Sequence, residues 1–277
     1  MKIRTALRDC IKTLDENNTN SSKVDSIILL GFVLNLKSNE ITQNLDRMIS
    51  DVDKKKLDHF LDRWIANEPV SKIIGRRLFW NATFFVNHQV LDPRPETEVL
   101  IEGVISNIKN RKTILDLGTG SGCLAVCLSL ALKNVVVTAS DISEEALSIA
   151  KKNAKKNMAK VSFIKSDWFE NIRGRYDVII SNPPYINDND FNKLSETVKR
   201  YDPKIALYGG SDGLVCYRAI AENMMDYLDK DGLGFFEIGL GQKLDVIDIF
   251  LTAGFVVFDV KQDFNGIDRV VCVKKDA

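Results

Sequence analysis

The sequence predicts an α/β fold with a mostly parallel sheet of seven strands, preceded by a small helical bundle and a β-hairpin. Three observations predict this architecture. Strand-like apolar runs alternate with helical stretches after residue 110, a glycine cluster follows the first of these strands, and residues 1 to 68 show helical periodicity alone. The 277 residues are enough for one large core with a smaller appendage.

Residues 1–70 are predicted to form the helical domain. Apolar side chains recur at the i, i+3, i+4, i+7 spacing of one buried stripe between Ile3 and Leu14. Further helices are predicted over residues 22–36, which start at a serine cap and count Val24 among their apolar positions, and over residues 54–65. Such a bundle is too small for a generous core of its own.

Residues 71–92 are predicted to form a hairpin that links two domains. The run IIGRRLFWNATFFVNHQV, over residues 73–90, is rich in β-branched and aromatic residues, and Asn81 offers a turn. Pro93 and Pro95 then interrupt regular structure, and helical spacing resumes over residues 96–108. The second domain is therefore predicted over residues 93–277.

The seven strands of this second domain are predicted from short apolar runs. They are TILDL, VVVTASD, VSFIKSD, YDVIISN, GLGFFEI, FVVFDV and RVVCVKK. Helices are predicted between them over residues 123–132, 143–156 and 242–251. Alternation of this kind is typical of a parallel sheet covered on both faces, and the last two strands indicate a hairpin-like end.

Composition argues against several functional classes. Lys plus Arg equals Asp plus Glu, so the formal net charge is zero, which argues against a protein that binds extended nucleic acid. Five cysteines without a C-x-x-C pair and only two histidines give no support to a metal site or a Ser-His-Asp triad. No apolar stretch reaches the roughly 18 residues of a membrane span, and the charged N-terminus is unlike a secretory signal. We expect a cytoplasmic protein.

The loop after the first parallel strand predicts a nucleoside cofactor site. Glycines alternate in Gly118-Thr119-Gly120-Ser121-Gly122, so the backbone can approach a ligand closely at the carboxyl end of the strand. About twenty residues later the second strand ends in Asp141, where an acid can accept hydrogen bonds from both ribose hydroxyls. The alternative is a tight structural turn with an unrelated helix-capping aspartate.

The identity of this cofactor is narrowed by neighbouring residues. A dinucleotide prefers G-x-G-x-x-G, whereas position 123 is Cys, and Asp116 stands where it could meet the sulfonium or ammonium group of S-adenosylmethionine. After the third strand, Asp167 and Trp168 are placed to bind and cover an adenine. Alternatively, Asp167 caps a helix and Trp168 belongs to the core.

The segment Ser181-Asn182-Pro183-Pro184-Tyr185-Ile186 after the fourth strand predicts the reaction. Two prolines stiffen the corner and leave the Asn182 side-chain oxygen and the Pro183 carbonyl as fixed acceptors. Such acceptors suit an NH2 group on a planar amide or aromatic amine, because holding its hydrogens favours pyramidalisation of the nitrogen. Tyr185 would lie flat against that group. Such a reaction requires no strong general base. The alternative interpretation of this segment is a rigid loop with an exposed tyrosine.

The sequence resembles the HemK/PrmC family, the protein-(glutamine-N5) methyltransferases that modify the Gly-Gly-Gln motif of peptide chain release factors. The matching blocks cover nearly the whole chain: IIGRRLFWNATFFVNHQVLDPRPETEVLIE, DLGTGSGCLAV, SDWF, SNPPYI, DPKIALYGGSDGLVCYRAI and NGIDRVV. NPPY alone is shared with adenine and cytosine N-methyltransferases, whereas RPETE with ALYGGSDGL is far more discriminating. Departures at Asp92, at Asp202 and in the PVSKIIG block affect only details of substrate docking.

The resemblance implies a class I, Rossmann-like S-adenosylmethionine-dependent methyltransferase that acts in translation termination. It implies cofactor contacts from residues 118–122, Asp141, Trp168 and Asn182, and glutamine contacts from residues 182–185, with the RPETE block bordering the site. The helical domain would recognise the release factor, since a bare glutamine offers little binding area. We expect a monomer with neither a membrane nor a nucleic acid as direct partner.

Three other functions stay open at this point. An N6-adenine methyltransferase would present the same NH2 geometry once the base is flipped out. A non-enzymatic module could retain the cofactor and act through binding, although intact Asn182 and Tyr185 argue against it. A nicotinamide dehydrogenase is the third, and calorimetry of cofactor binding separates it from the others.

Overall fold

The computed structural model describes residues 1–16 and 22–276. The chain divides into two compact units, Met1–Gly75 and Arg76–Ala277, each of which is described by itself. Residues 17–21 of the predicted helical domain, and residue 277 of the predicted second domain, lie outside the described residues.

The first unit is built mainly from helices. Its helices are α1 (Ile3–Asp15), α2 (Ser22–Leu34), α3 (Ser38–Gln43), α4 (Asp51–Ile65) and α5 (Val70–Ile74). One apolar cluster joins them, and the stripe between Ile3 and Leu14 lies in it as predicted. Val24, one of the apolar positions of this helix, is 59% exposed, because α2 is apolar nearly all round and its periodicity does not select the buried face.

The predicted hairpin starts later than the sequence pattern indicates. Residues 70–74 form α5 after Pro69, and this helix ends at Gly75 in the left-handed conformation, with φ of 65°. Strands β1 (Arg76–Phe79) and β2 (Ala82–Phe85) then pair antiparallel around a two-residue turn that contains Asn81. Both strands of the hairpin lie in the second unit.

A mixed seven-stranded sheet dominates the second unit. Its strands are β3 (Thr113–Leu117), β4 (Val136–Asp141), β5 (Val161–Lys165), β6 (Tyr176–Ser181), β7 (Leu228–Glu237), β8 (Phe255–Gln262) and β9 (Asp268–Lys275). The spatial order is β5-β4-β3-β6-β7-β9-β8, with β3 to β7 parallel and β9 antiparallel to both of its neighbours. The predicted α/β fold is confirmed, including its hairpin-like end.

Helices accompany this sheet along the chain. They are α6 (Glu98–Asn107), α7 (Cys123–Ala131), α8 (Glu144–Asn157), α9 (Asp188–Lys193), α10 (Glu196–Tyr201), α11 (Val215–Tyr227) and α12 (Lys243–Thr252). Helices α9 to α11 are not part of the predicted pattern. Successive strand residues point to opposite faces, so Ile114 and Leu115 enter two different apolar clusters, one on each face. The sheet is thus buried on both sides, as a parallel sheet requires.

Candidate functional site

The predicted cofactor loop lines a cavity at the carboxyl ends of the parallel strands. Gly118, Gly120 and Gly122 all have positive φ, of 69°, 55° and 81°, which a residue with a Cβ rarely adopts. A Cβ at Gly120 would meet nothing within 4 Å, whereas one at Gly122 would lie 3.0 Å from the Cβ of Ala150. Gly120 therefore leaves room for a ligand, and Gly122 allows α7 to pack closely on α8.

The cavity has a volume of about 280 Å³, near the lower limit for sites that enclose a small organic ligand. Most predicted cofactor residues line it: Gly118, Thr119, Gly120, Ser121, Asp141, Asp167, Trp168 and Asn182. Gly122 does not. The cavity thus brings together residues from the ends of β3, β4, β5 and β6.

Asp141 connects the glycine loop to the end of β4. Its Oδ2 accepts a hydrogen bond of 2.8 Å from the backbone N–H of Gly120, and its Oδ1 accepts one of 2.9 Å from that of Ser143. Burial raises the pKa of this carboxyl, and the backbone donors lower it. Since a carboxylate has about four lone-pair sites, Asp141 can accept further hydrogen bonds from a ligand in the cavity.

Asp116 differs from its expected position beside a cationic ligand. The side chain is fully buried beneath the loop and does not line the cavity. Its Oδ2 accepts a 2.6 Å hydrogen bond from the hydroxyl of Thr119, and burial raises its pKa to about 7. The carboxyl therefore fixes the conformation of the glycine loop from within.

Asp167 and Trp168 both face the cavity after β5. Asp167 is exposed, and Trp168 has a left-handed backbone with φ of 40°. The hydroxyl of Ser166 donates a 2.9 Å hydrogen bond to the carbonyl of Trp168 and so holds this turn. An indole and an exposed carboxylate thus lie on the same wall of the cavity.

The NPPY segment follows β6 directly. Asn182 and Pro184 line the cavity, whereas Pro183 is buried and Tyr185 packs partly buried against the second core cluster, both outside the lining. Burial raises the pKa of Tyr185 to about 12, helped by the nearby charge of Glu237. The phenol therefore stays protonated at neutral pH and cannot serve as a base.

The RPETE block, residues 94–98, holds the side chain of Asn182 through a hydrogen bond. The Nδ2 of Asn182 donates a 3.2 Å hydrogen bond to the hydroxyl oxygen of Thr97, which is itself buried. Arg94 forms a 2.9 Å ion pair with Asp202, and Glu98 accepts a 2.8 Å hydrogen bond from the backbone N–H of Trp80 in the hairpin. Residues 94–98 thus connect the hairpin, the NPPY segment and the DPKIALYGG block.

Glu237 is a buried acid beside the NPPY segment that the sequence patterns did not single out. Ser181 pairs with Phe236, so Asn182 and Glu237 follow side by side where β6 and β7 end. Burial raises the pKa of Glu237 to about 7, against the opposing effects of Thr97, Arg269 and Asn182. Its position at the carboxyl end of a strand, in GLGFFEI, is the one signal in the sequence that points to it.

Other residues line the cavity that the sequence analysis did not name as site residues, although most of them lie within the matching blocks. They lie before the RPETE block, at the start of α7 and α8, and near the ALYGG block: Gln89, Val90, Leu91, Cys123, Leu124, Ile142, Ala146, Ile205, Ala206, Tyr208 and Cys216. Most are apolar, as is usual for a pocket that encloses an organic ring. Across residues 1–16 and 22–276, no cluster of three or more His, Cys, Asp or Glu residues is arranged to hold a metal ion.

Comparisons with known proteins give a consistent result. Residues 5–75 match the PrmC N-terminal domain, and residues 79–200 match the methyltransferase small domain. The release factor glutamine methyltransferase of Bacillus cereus is 36% identical over 280 residues, covering 98% of each chain. The bifunctional methyltransferase of Rickettsia felis is 34% identical over 97% of this chain, which spans only 57% of that longer protein.

Solved structures share the fold. The ribosomal protein L11 methylase of Lactobacillus delbrueckii subsp. bulgaricus superposes with a TM-score of 0.51 at 20% identity, covering 67% of this chain and 83% of its own. Among the helices of the described residues, none is long and apolar enough to cross a lipid bilayer.

Proposed function

Because the chain belongs to the release factor glutamine methyltransferase family, we propose that it transfers a methyl group from S-adenosylmethionine to the side-chain amide nitrogen of a release factor glutamine. The resemblance stated from the sequence is thereby confirmed at the level of the family. One observation carries the proposal for the site: Asn182, held by Thr97, lines the same cavity as the glycine loop and Asp141.

The residues present fit S-adenosylmethionine as the cofactor. When bound, it supplies an electrophilic methyl group on a positively charged sulfur and leaves as a neutral thioether. Asp141 can accept hydrogen bonds from a ribose, Gly118 and Gly120 allow close approach of the backbone, and Trp168 offers a face for an adenine. We therefore assign to Asp141, the glycine loop and Trp168 the same roles that were predicted from the sequence.

The amide acceptors would act on the substrate nitrogen. We assign the Oδ1 of Asn182 and the carbonyl of Pro183 to the two hydrogens of the glutamine NH2 group. The bond between Asn182 Nδ2 and Thr97 supports this role, because it turns the amide oxygen of Asn182 away from Thr97. Held by these two acceptors, the nitrogen would present its lone pair to the methyl group that the bound cofactor supplies, and the proton lost from the nitrogen would pass to water.

Residues 1–70 would recognise the release factor, since the glutamine alone offers too little area for discrimination. A cytoplasmic monomer that contacts neither membrane nor nucleic acid completes the proposal. Analytical ultracentrifugation of the purified chain tests the proposed oligomeric state, and we expect the mass of a monomer.

Transfer of label tests substrate and atom together. The purified chain is incubated with S-adenosylmethionine labelled on its methyl group and with a release factor carrying either the Gly-Gly-Gln motif or Gly-Gly-Ala. We expect label in the first protein alone, at the glutamine by mass spectrometry. Label in the Gly-Gly-Ala protein, or equal label in a duplex oligonucleotide, would overturn the proposed substrate.

A further inference from the structure

The side chain of Gln242 is bonded to three separate loops. Its Nε2 donates hydrogen bonds to the carbonyl oxygens of Tyr185, at 3.0 Å, and Gly213, at 3.2 Å. Its Oε1 accepts a hydrogen bond of 3.0 Å from the backbone N–H of Gly239. Both hydrogens of the amide are therefore used, and one side chain joins the NPPY segment to the loops before α11 and after β7.

Glycines provide the space that this amide occupies. A Cβ at Gly213 would collide with the carbonyl oxygen of Tyr185 and would lie 2.8 Å from the Nε2 of Gln242. A Cβ at Gly239 would lie 2.7 Å from the Oε1 of Gln242 and 2.9 Å from the ring of Tyr185. The contact at Gly213 is with backbone, so this position is closed to larger residues, whereas a Cβ at Gly239 would displace the amide of Gln242 or the ring of Tyr185.

The ALYGG block supports the same segment through its backbone. The N–H of Ile186 donates to the carbonyl of Leu207 at 2.9 Å, and the N–H of Gly209 donates to the carbonyl of Ile186 at 3.0 Å. A Cβ at Gly209 would lie 2.6 Å from the carbonyl oxygen of Pro184. The block that distinguishes this chain from other NPPY proteins thus lies in direct contact with residues 184–186.

We propose that Gln242 is a positioning residue for methyl transfer, which holds the backbone of Tyr185 and thereby fixes the acceptor oxygens at Asn182 and Pro183. This inference rests on the proposed function. Gln242 does not line the cavity, so it acts through the NPPY segment and not on the substrate or cofactor. Reacting groups must be held within about 0.5 Å, and a displacement of about 1 Å by a remote change can cost about 100-fold in rate.

Two variants, Gln242→Glu and Gln242→Ala, test the inference in the full chain. Glu keeps the acceptor for Gly239 but replaces the NH2 group by an oxygen that faces two carbonyl oxygens, and Ala removes all three bonds. We expect kcat to fall about 10- to 100-fold in both, with the dissociation constant for S-adenosylmethionine within about twofold of wild type. Gln262→Glu, at an exposed position, is the matched control and should keep the wild-type kcat.

The pH dependence of kcat distinguishes a positioning role of the Gln242 hydrogen bonds from a purely structural role of this side chain. The carboxyl introduced by Gln242→Glu can donate one hydrogen bond once it is protonated. The ratio of variant to wild-type kcat should therefore rise as the pH falls for Gln242→Glu and stay constant for Gln242→Ala. Wild-type kcat in both variants overturns the inference, and so does a loss of cofactor affinity in step with kcat. Absence of label transfer by the wild-type chain instead overturns the proposed function.

Discussion

The hydroxyl oxygen of Thr97 accepts a hydrogen bond of 3.2 Å from the amide nitrogen of Asn182, 85 residues further along the chain. An asparagine amide has one acceptor end and one donor end, so occupation of the donor end by Thr97 determines which end is left for a ligand. The RPETE block therefore contributes to the NPPY segment through the buried hydroxyl of Thr97.

Replacement of Thr97 by Val should lower kcat by about 10-fold, the effect of one lost hydrogen bond. Val has nearly the same shape as Thr, so the packing of this buried position is retained while the acceptor is lost. Steady-state rates with the release factor measure the effect. Thr97→Ser keeps the hydroxyl and should retain most of the activity; equal losses in Val and Ser variants would show that packing, not the hydrogen bond, matters.

Replacement of Asn182 by Ala should lower kcat by about 100- to 1000-fold, as expected for a preorganised group that acts on the reacting nitrogen. Single-turnover rates at saturating cofactor give the chemical step. Asn223→Ala is the matched control, because Asn223 is exposed on α11 and its amide bonds within that helix. Wild-type turnover by the Asn182 variant would exclude it from the reaction.

Asp141→Ala should weaken S-adenosylmethionine binding by about 10- to 100-fold, because hydrogen bonds to a charged acceptor contribute about 1.5–3 kcal/mol. The loss also frees the N–H of Gly120, so the glycine loop is less well held. Isothermal titration calorimetry measures the affinity, with Asp248→Ala on the exposed side of α12 as control. An unchanged dissociation constant would remove Asp141 from the cofactor site.

The buried carboxyl of Glu237 should make the protein less stable as the pH rises. Its pKa is raised from 4.5 to about 7, so between these values the folded state binds more protons than the unfolded state, and the free energy of unfolding falls with pH. Glu237→Gln should remove the contribution of Glu237 to this decline, leaving that of the buried Asp116, and should exceed wild-type stability above about pH 8 by up to about 3 kcal/mol. Urea unfolding from about pH 5 to pH 8 measures it.

The exposed acid Glu222 supplies the control for this pH dependence. Glu222→Gln should leave the slope of stability against pH as in wild type. A Glu237→Gln variant with the wild-type slope would mean that Glu237 is ionised in the folded state throughout this range.

Local pattern was sufficient for the seven strands of the sheet, for the longer helices other than α11, and for the loops that end strands. The glycine cluster and Asp141 lie together because parallel strands end at one edge of the sheet, which the order of elements already implies. Contacts of Thr97, Glu237 and Gln242 depend on how distant segments pack, and no periodicity in the sequence encodes that. The helix over residues 70–74 was missed because its β-branched residues favour a strand, while Pro69 and Gly75 delimit a helical turn.

The paired prolines at positions 183 and 184 also affect what spectroscopy can observe. Proline has no amide proton, so two successive positions of this segment give no signal in hydrogen-exchange or amide NMR experiments. The amide of Ile186, which is bonded to Leu207, is the nearest protected reporter on the far side. Its exchange rate would register any loosening of the corner that the prolines themselves conceal.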